Sequence, residues 1–102
     1  MSMLHTVNKS PFEKTAFASC LEHARPGDAV LLIEDGVYAA VKGTAPAERI
    51  GAQSNNLSFY VLGPDLAARG LSDGSLTEGI EVVDYGGFVD LVTEHKVAQS
   101  WL

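Results

Sequence analysis

The sequence holds a single cysteine, and only seven basic side chains stand against thirteen acidic ones in 102 residues. One thiol excludes an internal disulfide framework and fits a reducing compartment. The shortage of Lys and Arg leaves a formal net charge of −6, which opposes direct nucleic-acid binding, because phosphate backbones are held by clustered cations. No apolar run exceeds five residues, as in Ala29 to Ile33, whereas a membrane helix needs about 20. The opening Met1-Ser2-Met3-Leu4-His5 has no basic start and no extended apolar stretch, so it does not read as a secretion signal. His5, His23 and His95 are scattered, with neither H-E-x-x-H nor paired C-x-x-C spacing, so no metal site is expected. There is no G-x-S-x-G elbow to support a hydrolase. Neither G-x-G-x-x-G nor G-x-x-x-x-G-K-[ST] is present to cradle a phosphate.

What is present is a globular composition. Apolar residues make up 46% and charged residues 20%, ordinary for a packed core and too apolar for a disordered segment. At roughly 150 residues per domain, residues 1–102 form one domain. These readings describe a small, soluble, cytoplasmic, acidic protein with no internal repeat or linker.

Five segments have strand character: Met3 to Val7, Ala29 to Ile33, Leu57 to Leu62, Ile80 to Val83 and Val97 to Leu102. The solid apolar second segment suits a strand covered on both faces, and the semi-polar last one suits a sheet edge. Helical pieces lie between them. The clearest begins at Ser10-Pro11-Phe12-Glu13, a capping-box pattern, and carries Phe12, Ala16, Phe17, Cys20, Leu21 and Ala24 on one face up to Arg25-Pro26-Gly27. Shorter helices are predicted over Val37 to Lys42, Pro46 to Gln53, Pro64 to Arg69 and Gly87 to Lys96, and residues 71–78 read as a loop. Strands alternating with helices predict an α/β fold: a five-stranded, mainly parallel sheet with helices on both faces, in three layers. Loops after the strands then share one edge, where such folds place their sites.

Cys20 is the candidate nucleophile or sulfur carrier. At 100° per residue it lies in the middle of the apolar face of its helix, which favours a buried thiol acting as a small hydrophobe. The reactive reading needs access and a lowered pKa, with only His23 nearby to help. Hydrogen-bonded structural roles suit the histidines. Asp35-Gly36 and Asp84-Tyr85-Gly86-Gly87 follow strands, but their acids would repel a phosphate, so both aspartates read as helix caps. Arg69 before Gly70 reads as a helix terminus, and Trp101 as an edge-strand core residue or an interface anchor. Residues 71–102 carry Asp73, Glu78, Glu81, Asp84, Asp90 and Glu94 against Lys96 alone. That is a solvated surface or an acidic face for a basic partner protein.

Four blocks together carry a resemblance. They are Leu4-His5-Thr6-Val7-Asn8-Lys9-Ser10-Pro11-Phe12, Glu34-Asp35-Gly36-Val37-Tyr38-Ala39-Ala40, Tyr60 through Leu71 with its Gly63-Pro64-Asp65, and Val83-Asp84-Tyr85-Gly86-Gly87-Phe88-Val89-Asp90-Leu91. In order and spacing the chain resembles the TusB/DsrH family over its whole length. The resemblance implies a DsrE/DsrF/DsrH-like α/β/α fold, similar to flavodoxin-like sheets. It implies a heterohexamer with DsrE/TusD-like and DsrF/TusC-like subunits that relays persulfide sulfur to a DsrC/TusE-like carrier, without a cofactor. The destination is the wobble uridine of tRNA in Tus-type systems and dissimilatory sulfur oxidation in Dsr-type systems. In both, the principal persulfide cysteine belongs to the DsrE/TusD-like partner, which makes this chain an accessory subunit. A cysteine at the place of Cys20 is closer to DsrH, and it raises Cys20 as a transient sulfur carrier.

Two other readings stay open at this point. One is a free-standing flavodoxin-like module that binds a nucleotide or flavin, for which Asn8-Lys9-Ser10-Pro11 is a poor phosphate loop. The other is a homo-oligomeric scaffold.

Overall fold

The computed structural model describes residues 2–95 and 97–102. Its strands are β1 (Met3–Val7), β2 (Ala29–Leu32), β3 (Ser58–Leu62), β4 (Ile80–Val83) and β5 (Val97–Trp101). All four neighbouring pairs are parallel, in the order β4-β3-β2-β1-β5. The expected three-layer α/β fold is therefore present, and the order differs from the 2-1-3-4-5 of flavodoxins. The central strand β2 is buried at every position, as its unbroken apolar run requires.

Strands β1 to β4 step across the sheet in one direction, and right-handed crossovers then put their connections on one face. Those connections hold α1 (Ala16–His23), a 3-10 helix (Glu34–Ala40), α2 (Ala45–Gln53) and α3 (Gly63–Ala68). The chain then returns from β4 to the far edge, which puts α4 (Tyr85–Glu94) on the opposite face. The two cores differ accordingly. Among the described residues the main cluster on the first face includes Val7, Phe17, Val30, Leu32, Ile50, Phe59 and Val61, and a smaller cluster under α4 holds Leu4, Ala29, Leu31 and Leu91.

Three expectations about the elements need correction. The first helix starts at Ala16, not at Ser10, and Phe12 is 63% exposed. The Ser10 hydroxyl accepts from Phe12 N at 3.2 Å, and its carbonyl accepts from Glu13 N and Lys14 N. Ser10 thus closes a tight turn of its own, the local competitor that serine offers to a helix. The helix expected over Val37 to Lys42 is the 3-10 helix from Glu34. A Cβ at Gly36 would collide with the Val7 carbonyl, so the chain turns against the end of β1 with glycine at the contact. Finally, the 71–78 loop contains a 3-10 turn over Asp73–Ser75, and Leu76 forms a bridge with Val41. Lys42 N and Thr77 N donate to Ser75 O and Ala40 O at 2.9 and 2.8 Å, so backbone bonds fix the segment.

Thr44 caps α2, accepting from Ala47 N at 3.3 Å. Asp84 caps α4, accepting from Gly87 N at 2.8 Å, as the sequence led us to expect. Among the described residues no helix is long and apolar enough to cross a membrane.

Candidate functional site

Cys20 lies in the middle of α1 with 0% exposure, packed in the larger core. Burial pushes its thiol up to about 12, and the nearby Asp28 carboxylate adds to the effect. Both causes disfavour the thiolate, the form that attacks or carries sulfur. In this position Cys20 acts as a small packing residue, and no group on α1 relieves it. His23, the one neighbour the sequence offered, turns its Nδ1 to donate to Ser19 O at 2.8 Å.

Next to α1 the sheet holds a buried polar chain. Parallel pairing of β1 and β2 sets Leu4 opposite Ala29 and brings Asp28, at the foot of β2, beside His5. His5 Nε2 lies 2.9 Å from Asp28 Oδ2, and both residues are buried. From the far edge, Trp101 Nε1 donates to His5 Nδ1 at 3.0 Å. An indole N–H can only donate, so His5 Nδ1 is the acceptor and the ring proton sits on Nε2, given to Asp28. The Asp28 carboxylate also accepts from Arg25 N at 3.0 Å and Met3 N at 2.9 Å. Burial alone would raise its pKa, but the backbone donor of Arg25, then His5 and Met3 N, outweigh it and hold the carboxyl below the usual value of 3.8.

This chain of bonds forms the floor of an open groove of about 540 Å³ between α1 and β5, lined also by His23, Arg25 and Gln99. The Trp101 indole stands between the two imidazoles, with ring centroids 6.1 Å from His5 and 5.4 Å from His23. Both ring nitrogens of His5 are committed, which makes it a clip joining β5, β1 and β2, not a free base. Trp101 is thus a partly buried edge-strand residue, one of the two readings its sequence allowed.

The loop edge after the strands, where the sequence placed a site, carries acids. Asp35 is not a cap. It lies inside the 3-10 helix and pairs with Arg69, whose Nε and Nη2 each stand 2.9 Å from Asp35 Oδ1. Asp65 accepts from Glu34 N at 2.6 Å, which holds Glu34 at a positive φ of 49°. With Gly36 pressed on Val7 and Asp84 at the start of α4, this edge is crowded and negative, and it disfavours a phosphate. His95 donates from Nδ1 to Leu91 O at 2.7 Å and closes α4. Among the described residues no group of three His, Cys, Asp or Glu side chains is gathered as a metal site.

Sequence reasoning missed Asp28, which stands between the Arg25-Pro26-Gly27 helix stop and the second strand. The usable signal was an acid placed directly before a fully apolar strand, where a carboxylate must find donors once that strand is buried. It also missed the outer flank of α4, where Tyr85, Val89 and Val92 are 61%, 61% and 45% exposed. Their spacing of four and three residues was legible as a helical stripe.

Comparison with known proteins agrees with this architecture. A family model described as DsrH like protein matches residues 9–98. Protein TusB of Escherichia coli K12 is 39% identical over 99 residues, covering 97% of this chain and all of that protein. Protein TusB of Shigella boydii serotype 18 matches with the same identity and coverage. Among solved structures, a protein of unknown function from Methanobacterium thermoautotrophicum superposes with a TM-score of 0.77 at 17% identity, covering 97% of both chains. The ychN protein of Escherichia coli superposes with a TM-score of 0.75 at 16% identity, covering 98% of both. At such identities these two structures speak for the fold alone.

Proposed function

The chain belongs to the DsrH-like protein family, and on that premise we propose that it is an accessory subunit of a sulfurtransferase complex working in the cytoplasm. In this reading it assembles with DsrE/TusD-like and DsrF/TusC-like subunits, two copies of each, and helps pass persulfide sulfur to a DsrC/TusE-like carrier. The destination is the 2-thio group of the tRNA wobble uridine. The observation that carries the reading is the 39% identity to Protein TusB along the whole of both chains.

The site geometry supports an accessory role. Persulfide transfer needs a thiolate that can approach a sulfane sulfur. Cys20 is enclosed and its thiol is pushed up to about 12. The reading therefore places the relayed sulfur on a partner subunit and gives Cys20 a packing role. The sulfur-oxidation branch leaned on Cys20 as a carrier, and it loses that support once the thiol is a packing group. The acidic strand-end edge counts against the nucleotide- or flavin-binding module.

Mass spectrometry of tRNA nucleosides tests the reading. In cells lacking this chain, 2-thiouridine at the wobble position falls to background, and both the wild-type chain and Cys20→Ala restore it. Unchanged 2-thiouridine in its absence would remove the tRNA branch, and restoration by wild type but not by Cys20→Ala would return Cys20 to the sulfur path.

A further inference from the structure

His5 is buried between two partners of opposite demand. On one side its Nε2 gives a proton to the Asp28 carboxylate at 2.9 Å, and on the other its Nδ1 takes the Trp101 indole N–H at 3.0 Å. The carboxylate only accepts and the indole only donates. Both bonds therefore exist together only while the ring is neutral. A proton added to Nδ1 would set two donors against each other at 3.0 Å, and one group has to move.

The surroundings select which one. His5 stands in the middle of β1, level with Val30 of β2 and Gln99 of β5, so two ladders of backbone bonds fix its place. Asp28 is held as firmly by the backbone donors of Arg25 and Met3. These donors also keep its carboxyl ionised throughout the range in which imidazoles titrate. An imidazolium–carboxylate bond is about twice as strong as a neutral one, so the proton tightens the contact between His5 and Asp28. Trp101 is the loose partner. It lies on an edge strand that pairs with β1 alone, is only partly buried, and borders an open groove of about 540 Å³ into which the indole can turn.

The other titratable groups around the ring leave that outcome in place. On the α1 side, His23 and Arg25 line the groove, Glu22 is exposed and outside it, and the Cys20 thiol is neutral. Arg25 is the fixed positive charge among them, and the Asp28 carboxylate balances it. β5 brings no charged side chain from Val97 to Trp101. The His23 ring, 5.4 Å from the indole, attracts its face once protonated, which gives the freed side chain a second contact.

We infer that His5 is a proton-operated latch: neutral, it holds Trp101 and fastens β5 to the sheet, and a proton taken up at Nδ1 expels the indole and loosens that edge. Proton and indole N–H compete for one lone pair, so each weakens the binding of the other by the same factor. The sign follows. The edge is fastened in the neutral state of the ring and loosened as pH falls through the imidazole range, from about pH 8 to pH 5. The rest of the sheet outlasts the release, because β1 to β4 keep their own pairing and core. The latch is made of this chain's own bonds and does not depend on the proposed assembly.

The test follows the full-length, isotope-labelled chain by NMR from about pH 8 to pH 5, where its one tryptophan gives one indole signal. The account expects the Trp101 Nε1–H resonance to move upfield in a single step, with the same midpoint as the His5 ring nitrogens. Amide protection in β5, corrected for intrinsic exchange, falls about 2- to 12-fold through that step, the worth of one neutral hydrogen bond, and persists in β2 and β3. Trp101→Phe removes the competing donor and raises the His5 midpoint by about one pH unit. His23→Gln leaves the step in place. Near-ultraviolet circular dichroism at neutral pH establishes that each variant is folded. An indole signal that stays put while His5 titrates would overturn the latch, as would a His5 midpoint unmoved by Trp101→Phe. A His5 ring that stays neutral to about pH 5, or a step that vanishes in His23→Gln, would overturn it too.

Discussion

The Asp28 carboxylate accepts three hydrogen bonds, from the backbone N–H groups of Met3 and Arg25 and from the His5 ring. Its amide substitute cannot take that place. In Asp28→Asn the NH₂ group faces donors, and His5 cannot switch tautomer because Trp101 already donates to Nδ1. Urea unfolding at neutral pH should show a loss of about 2–4 kcal/mol for Asp28→Asn. The pH dependence follows from the direction of the shift. The folded carboxyl titrates below its unfolded value, so its stabilisation is complete above the usual carboxylate range and is lost as pH falls through the lowered folded value. The stability gap between wild type and Asp28→Asn should therefore narrow on acidification below about pH 4, and a gap that widens there contradicts the assignment. Cys20 gives a second prediction at this scale. With its thiol pushed to about 12, the thiolate fraction at neutral pH is on the order of one in 100,000. A thiol-labelling reagent should leave the native chain unmodified and react once denaturant is added. Cys20→Ala should cost about 1 kcal/mol, and Cys20→Ser more, about 1–3 kcal/mol, because the core offers its hydroxyl no evident partner.

At the scale of elements, β5 is an edge strand: it pairs with β1 alone, and Trp101 links it to the His5–Asp28 pair. Trp101→Phe leaves His5 Nδ1 without its donor and should cost about 1–3 kcal/mol. Amide hydrogen exchange should localise the change: protection falls in β5 and persists in β2 and β3. Uniform loss across all strands would contradict the clip. The strands themselves were legible because apolar runs and β-branched residues mark them directly, as in Ala29 to Leu32 and Ser58 to Leu62. The Asp84 cap was equally legible, because a cap is a local bond between an acid and a backbone N–H three residues on. The start of α1 was not. The Ser10–Glu13 pattern fits a capping box and a free-standing turn alike, and tertiary placement of Phe12 in solvent decided for the turn. The 3-10 helix was hidden for a similar reason, since Gly36 is dictated by the approach of Val7, a residue distant in sequence. Asp28, His5 and Trp101 meet only through strand pairing, and no local spacing announces that contact.

The molecule as a whole has a thick side and a thin side. Among the described residues one face of the sheet packs α1, the 3-10 helix, α2 and α3, and the other has α4 over a smaller buried cluster. In a domain of 102 residues, where folding buries only about two-thirds of the unfolded chain's surface, a half-covered sheet is a marginal arrangement. On the proposed function, association with other subunits would supply the missing cover. The lone cysteine, first an argument about compartments, ends as part of the thick core. On the proposed function this chain works as one subunit among related, different ones. Native mass spectrometry of the complex isolated through a tag on this chain, co-expressed with its DsrE/TusD-like and DsrF/TusC-like companions, tests it most directly. The account predicts a single species containing all three chains in equal copies. Recovery of this chain alone, as a monomer or a homo-oligomer, with the companions left in the flow-through, would contradict it.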